Sequence, residues 1–130
     1  MELEVLWQRV TVNARTCARC GDTGLNVRRA VDKLEMLLAP HGVTVQLVEK
    51  PLPPFAVEQS NRVFLGGLPL EEILGAQVLM NHCQSCCDLL GAQTDCRVLR
   101  LGGRDYEELP SELVVQAGMQ VAKKLWPERF

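Results

Sequence analysis

One amphipathic helical stripe flanked by two alternating segments constrains this chain more than any other feature. Val27, Ala30, Val31, Leu34, Leu37 and Leu38 recur at helical spacing, with Arg28, Arg29, Asp32, Lys33 and Glu35 on the opposite face. Such a helix buries one side and leaves the other in water. Upstream, Leu3, Val5, Trp7, Val10 and Val12 mostly alternate with Glu4, Leu6, Gln8 and Asn13. Downstream, Val43-Thr44-Val45-Gln46-Leu47-Val48 alternates between Gly42 and Pro51. A period of two marks a half-buried strand. Strand, helix and strand in this order predict a right-handed crossover between parallel strands, hence an α/β fold. Asp22 or Thr23 can cap the helix, and Pro40, His41 and Gly42 supply its stop. Gly21 and Gly24 raise the entropy lost in a first turn and predict a delayed start near Thr23.

Beyond the crossover, Pro51, Pro53 and Pro54 predict a loop over 51–61, with a short helical turn around Phe55. Val63-Phe64-Leu65, stopped by Gly66-Gly67, reads as a third, central strand. Leu70 to Leu74 suits one or two helical turns, and residues 81–96 show too little periodicity for anything but a loop. Arg97 to Leu101 and Asp105 to Leu109 flank Gly102-Gly103 as a hairpin. Pro110 suits a first helical position, ahead of Leu113, Ala117, Val121 and Leu125 on a terminal helix. The length of 130 residues allows one domain, residues 1–130, with its own core.

Cys17-Ala18-Arg19-Cys20 stands at the first strand-to-helix junction. A thiol reacts as its thiolate, and an ordinary cysteine with a pKa of about 8.5 is mostly protonated at neutral pH. Backbone N–H groups at a helix start, with Arg15 and Arg19 nearby, would stabilise the Cys17 anion. Cys20 is then the natural resolving thiol. The competing structural reading is a pair of small apolar residues packed at the junction.

A second cluster, Cys83-Gln84-Ser85-Cys86-Cys87 with Cys96 and the neighbouring His82, admits three readings. Cys83, Cys86, Cys87 and Cys96 can hold a metal, since zinc takes four soft ligands in a tetrahedron. They can be resolving thiols that receive a disulfide from Cys20. They can also be inert buried residues. His82 is a spare ligand. Glu71-Glu72 and Glu107-Glu108 read as solvated faces, Tyr106 as core, and His41 as a partner of the last helical carbonyls. Gly66-Gly67 and Gly102-Gly103 lack the strand-to-helix setting of a phosphate loop.

The net charge of −2 gives no electrostatic footprint for nucleic acid or an anionic membrane. Glu2 and Glu4 and the lack of a long apolar run argue against a leader or a membrane span, and place the protein in the cytoplasm. Six cysteines in a reducing compartment favour catalysis or metal over a disulfide framework.

With its CxxC at the first junction, the β-α-β half followed by a hairpin and a terminal helix resembles the thioredoxin fold. The run Cys17 to Val27 is similar to small prokaryotic glutaredoxin-like proteins. Together with Ser60-Asn61-Arg62-Val63-Phe64-Leu65, Cys86-Cys87 and Tyr106-Glu107-Glu108-Leu109-Pro110, it resembles a prokaryotic family of thioredoxin-like proteins known only as a domain of unknown function. The resemblance implies that Cys17 attacks and Cys20 resolves. It also places Asn61 where thioredoxin-like proteins carry a cis-proline. A cis bond there would cost about 2.5–4 kcal/mol, so a trans bond is predicted, with the thiols more open to a metal.

The leading expectation is a thiol-disulfide redox protein, possible as an enzyme, acting on a protein or small-molecule disulfide with no required cofactor. The alternatives are a soft-metal module for zinc or copper(I), and a structural interaction domain.

Overall fold

The computed structural model describes residues 1–130. The chain runs β1 (Glu2–Val10), α1 (Ala18–Leu38), β2 (Thr44–Leu52), β3 (Arg62–Leu65), β4 (Leu68–Pro69), α2 (Leu70–Leu74), β5 (Gln77–His82), α3 (Gln84–Leu90), β6 (Asp95–Leu101), β7 (Arg104–Tyr106) and α4 (Ser111–Leu125). Short 3-10 turns occupy Ala39–His41, Pro54–Gln59 and Pro127–Arg129. The fold is α/β with a mixed sheet of order β2-β1-β3-β4. β1 pairs in parallel with β2 from Glu2↔Thr44 to Val10↔Leu52, as the crossover requires, and β3 runs antiparallel to β1.

Two elements differ from what the sequence predicts. Residues 81–96 are not a loop: β5 ends at His82, α3 follows, and β6 begins at Asp95. β5 is mostly exposed, so it carries no alternating signature, and α3 is too short at seven residues to establish a period. The hairpin of β6 and β7 does not extend the first sheet either. It joins β5 in a separate antiparallel sheet of order β5-β6-β7.

α1 buries Val27, Ala30, Val31, Leu34 and Leu38 and packs against α4, whose Val114, Ala117 and Val121 are buried. Leu37, on the edge of the stripe, stays exposed. Each fully buried leucine or valine contributes about 1.5–3 kcal/mol. α1 and α4 approach closely at Gly118, where a Cβ would lie 2.7 Å from Leu34 Cδ1. α1 ends through Ala39–His41 at Gly42, whose φ of 73° is the left-handed turn that glycine takes without a steric cost.

The two sheets are tied by an ion pair rather than by a shared strand. The Glu71 carboxylate accepts from Arg62 of β3 at 3.1 Å and from Arg97 of β6 at 2.6 Å. Glu71 is thus a half-buried bridge and not the solvated residue its neighbour Glu72 is. His41 is also reassigned: its Nδ1 lies 2.7 Å from the Arg129 carbonyl and its ring stacks on Phe130, so it fastens the C-terminal turn and not the end of α1. Glu107 and Glu108 are exposed, as expected, and Tyr106 is half-buried against the core.

Gly24 lies inside α1 because the buried Trp7 indole occupies the space a side chain would need. A Cβ there would lie 2.6 Å from Trp7 Cζ3 and 2.8 Å from Cζ2. Both atoms belong to a rigid ring held in the core, so neither can give way cheaply. Gly24→Ala is therefore expected to destabilise the protein by about 1–3 kcal/mol despite alanine's higher helix propensity. A urea midpoint equal to or above that of the wild type would contradict this packing.

Candidate functional site

Cys17 is the N-cap of α1, and the helix starts at Ala18 without the delay that the glycines predicted. Its backbone is extended, and its Sγ accepts the Cys20 N–H at 3.4 Å. A thiol here fills the role usually taken by serine or aspartate, so neither Asp22 nor Thr23 is the cap. Thr23 does something else: fully buried, its hydroxyl oxygen accepts from the Leu109 N–H at 3.1 Å and the Asn61 side-chain amide at 3.3 Å. It links α1 to the segments preceding α4 and β3.

The two cysteine motifs, 63 or more residues apart in the chain, meet in one buried group. Cys83 immediately precedes α3 and Cys86 lies in its first turn, which brings both against the start of α1. Cys86 Sγ is 3.6 Å from Cys17 Sγ and 2.8 Å from Cys96 Sγ. The sulfurs of Cys17, Cys83 and Cys86 all lie within 4.8 Å of one another. Cys20 adjoins Cys17 in the same core, with its Sγ 3.5 Å from Ser60 Oγ. Cys87 is left out. Its sulfur accepts the Thr94 N–H at 3.2 Å and stands 3.9 Å from the exposed His82. The sequence candidates Cys83, Cys86 and Cys96 therefore join Cys17 and Cys20, whereas Cys87 and His82 face elsewhere.

Electrostatics divide these thiols into two kinds. The Cys20 thiol, and after it the Cys86 thiol, hold the Cys17 pKa far below the ordinary range, against the opposing effect of burial. Cys96 is lowered to about 7, first by the Cys86 thiol. Cys20 is raised by giving its hydrogen bond to Cys17 and by burial, while Cys86 is raised by its contacts with the Cys17 and Cys96 sulfurs and by burial. Burial raises Cys83. Cys86 has one S–H and two sulfur neighbours, so its proton can serve only one at a time. The Arg19 guanidinium is buried beside this group, donating to the Glu107 carbonyl at 3.1 Å and the Arg97 carbonyl at 3.3 Å. Its charge favours the Cys96 anion, whereas the Arg19 backbone N–H favours that of Cys17.

Ser60 was invisible as a site residue in the sequence. Its Oγ accepts the Val10 N–H at 2.8 Å, which leaves the hydroxyl proton free to face Cys20. Next to it, Asn61 follows a trans peptide and adopts a φ of 61°. Asparagine tolerates that left-handed conformation, but proline, locked near −65°, does not. A proline therefore cannot take the place of Asn61 without moving this backbone.

The cluster is roofed but not sealed. A shallow depression lined by Thr16, Cys17, Ala18, Ser85, Asp88 and Leu89 opens onto Cys17. No helix is long and apolar enough to cross a membrane.

Comparison with known proteins places the chain without supplying a reaction. An uncharacterized protein of Archaeoglobus fulgidus is 35% identical over 118 residues, covering 88% of this chain and 83% of that protein. No solved structure matches. Residues 3–118 match the family described as "Domain of unknown function (DUF2703)", a span holding all six cysteines and both sheets except Glu2, and the chain belongs to that family.

Proposed function

We propose that this protein carries out thiol-disulfide exchange, with Cys17 as nucleophile. The observation that carries the reading is the position of Cys17 Sγ: capped by the Cys20 N–H at 3.4 Å, beneath a surface depression, with a further thiol, Cys86, 3.6 Å away. Strand order supports a thioredoxin-like reading. β1-α1-β2, the β3-β4 hairpin and α4 follow one another as that resemblance requires, with residues 70–109 inserted before the terminal helix. The hairpin in this reading is 62–69 and not the one at 95–106.

In the first step the Cys17 thiolate attacks a substrate disulfide, forming a mixed disulfide and releasing one substrate thiolate, which takes up a proton. Cys20 then loses its proton, attacks Cys17 Sγ and releases the second substrate thiol. The substrate gains two electrons and the Cys17-Cys20 pair loses two. The short sulfur distances favour onward transfer: Cys86 attacks Cys17, and Cys96 attacks Cys86, which moves the disulfide to Cys86-Cys96 with no net electron change. A dithiol reductant would reset the pair.

Cys20→Ser removes the resolving thiol and should accumulate a mixed disulfide at Cys17 when the reduced variant meets a small-molecule disulfide, detected by peptide mass mapping. Because Cys86 can still reach Cys17, the double variant with Cys86→Ser should trap more of it. If neither variant retains substrate at Cys17, the nucleophile assignment fails.

A further inference from the structure

Three of the same sulfurs also lie at the spacing of a soft-cation site. We propose that Cys17, Cys83 and Cys86 together bind one thiophilic d10 ion in the reduced protein, and that disulfide formation in the cluster releases it. Three observations carry this. The three sulfurs are mutually within 4.8 Å and come from two separate segments, the start of α1 and the start of α3. An ion with metal–sulfur bonds of about 2.3 Å sets its ligands roughly 3.8–4.0 Å apart. The Cys17–Cys86 separation of 3.6 Å is close to this already, and the remaining edges need only side-chain adjustment.

The donor set selects the ion. All three ligands are sulfur and buried, and neither a carboxylate nor an imidazole belongs to the group. Hard ions such as magnesium and calcium demand oxygen ligands, whereas copper(I) and zinc(II) accept thiolates. Thr16, Ser85 and Asp88 surround the depression over Cys17, which supplies a way in.

The gating follows from which sulfurs are neighbours. The short pairs, Cys17 with Cys86 and Cys86 with Cys96, each contain a member of the triad, and so does the Cys17-Cys20 pair. Whichever of these bonds forms, one ligand or more is lost. Oxidation by a disulfide such as oxidised glutathione takes two electrons from two cysteines, yields two glutathione thiols and leaves at most two of the three ligands. This part rests on the exchange reading above, whereas ion binding in the reduced protein does not.

The test uses the full chain, reduced and anaerobic, titrated separately with copper(I) and zinc(II) against a chromophoric chelator. One equivalent of at least one of these ions is expected to bind. Bound ion should protect Cys17, Cys83 and Cys86 from iodoacetamide while leaving Cys87 labelled as before, which is read on the wild type and needs no variant to fold. Cys83→Ser should weaken binding by more than the roughly 10–100-fold typical of losing an outer-shell partner, and Cys87→Ser should not weaken it. Adding oxidised glutathione to the loaded protein should release the ion together with the loss of two free thiols. Failure of both ions to bind, or protection of a different set of cysteines, overturns the site. Retention of the ion after two thiols are lost overturns the gating. If the ion binds but no reversible disulfide forms in the metal-free protein, the exchange reading fails and the site stands.

Discussion

Cys17→Ser is expected to reduce thiol-disulfide exchange to background, a loss of at least roughly a thousandfold on the scale seen when a nucleophile leaves an active site. Serine can still cap α1, so the fold should survive the change. The wild type carries a second readout. Alkylation follows the thiolate fraction, and an ordinary thiol of pKa about 8.5 is only about 3% ionised at pH 7. Because Cys20 and Cys86 hold the Cys17 anion, its iodoacetamide rate in metal-free, reduced protein should be nearly flat between about pH 6 and 8. Over the same interval the rate of a free thiol such as glutathione should climb. A Cys17 rate that climbs like that of an exposed thiol would remove the basis for its activation.

The same shifts set how stability responds to pH. Where Cys17 is ionised in the folded chain and protonated in the unfolded one, the unfolded state binds the extra proton, so stability rises with pH. That contribution is complete above about pH 8.5, the unfolded thiol value, and is lost as pH falls through the folded one. Above about pH 8.5, Cys20 and Cys86 keep protons that the unfolded chain releases, and stability falls. In these thiol contributions the reduced protein is therefore most stable near that value.

The crossover was legible because its signals are local. The stripe from Val27 to Leu38 and the alternation on either side of it each declare a period within a dozen residues. The start of α1 was not, since composition alone makes Gly21 and Gly24 look like helix breakers. The reason for Gly24, the Trp7 ring beside it, lies 17 residues away in the chain. Spacing also cannot reveal that Cys86 rests on Cys17. That contact depends on β5 and α3, which carry almost no periodic signal, and on the Glu71 bridge that docks one sheet against the other. Cys17 and Cys20 could be picked out as a pair from sequence; their place in a five-cysteine cluster could not.

Trp7→Ala should cost about 3–5 kcal/mol, a large part of the roughly 5–15 kcal/mol that holds a domain together. The indole is 2% exposed and fills the space between β1 and the first turns of α1. Its Nε1 donates to Asn61 Oδ1 at 3.4 Å, and Asn61 in turn reaches Thr23, so the ring also steadies the segment that carries Ser60 to Cys20. A cycle with Gly24→Ala separates size from everything else. In the wild type the added methyl meets the ring; in the Trp7→Ala background the ring is gone, and the same methyl fills part of the cavity. The cost of Gly24→Ala should therefore vanish or change sign, giving a coupling of about 1–3 kcal/mol between residues in contact. Urea midpoints of the four proteins measure it. Additive effects would mean that Gly24 is kept for its backbone and not for the space above it, and the Trp7 contact would no longer explain why a glycine stands one turn beyond Cys20.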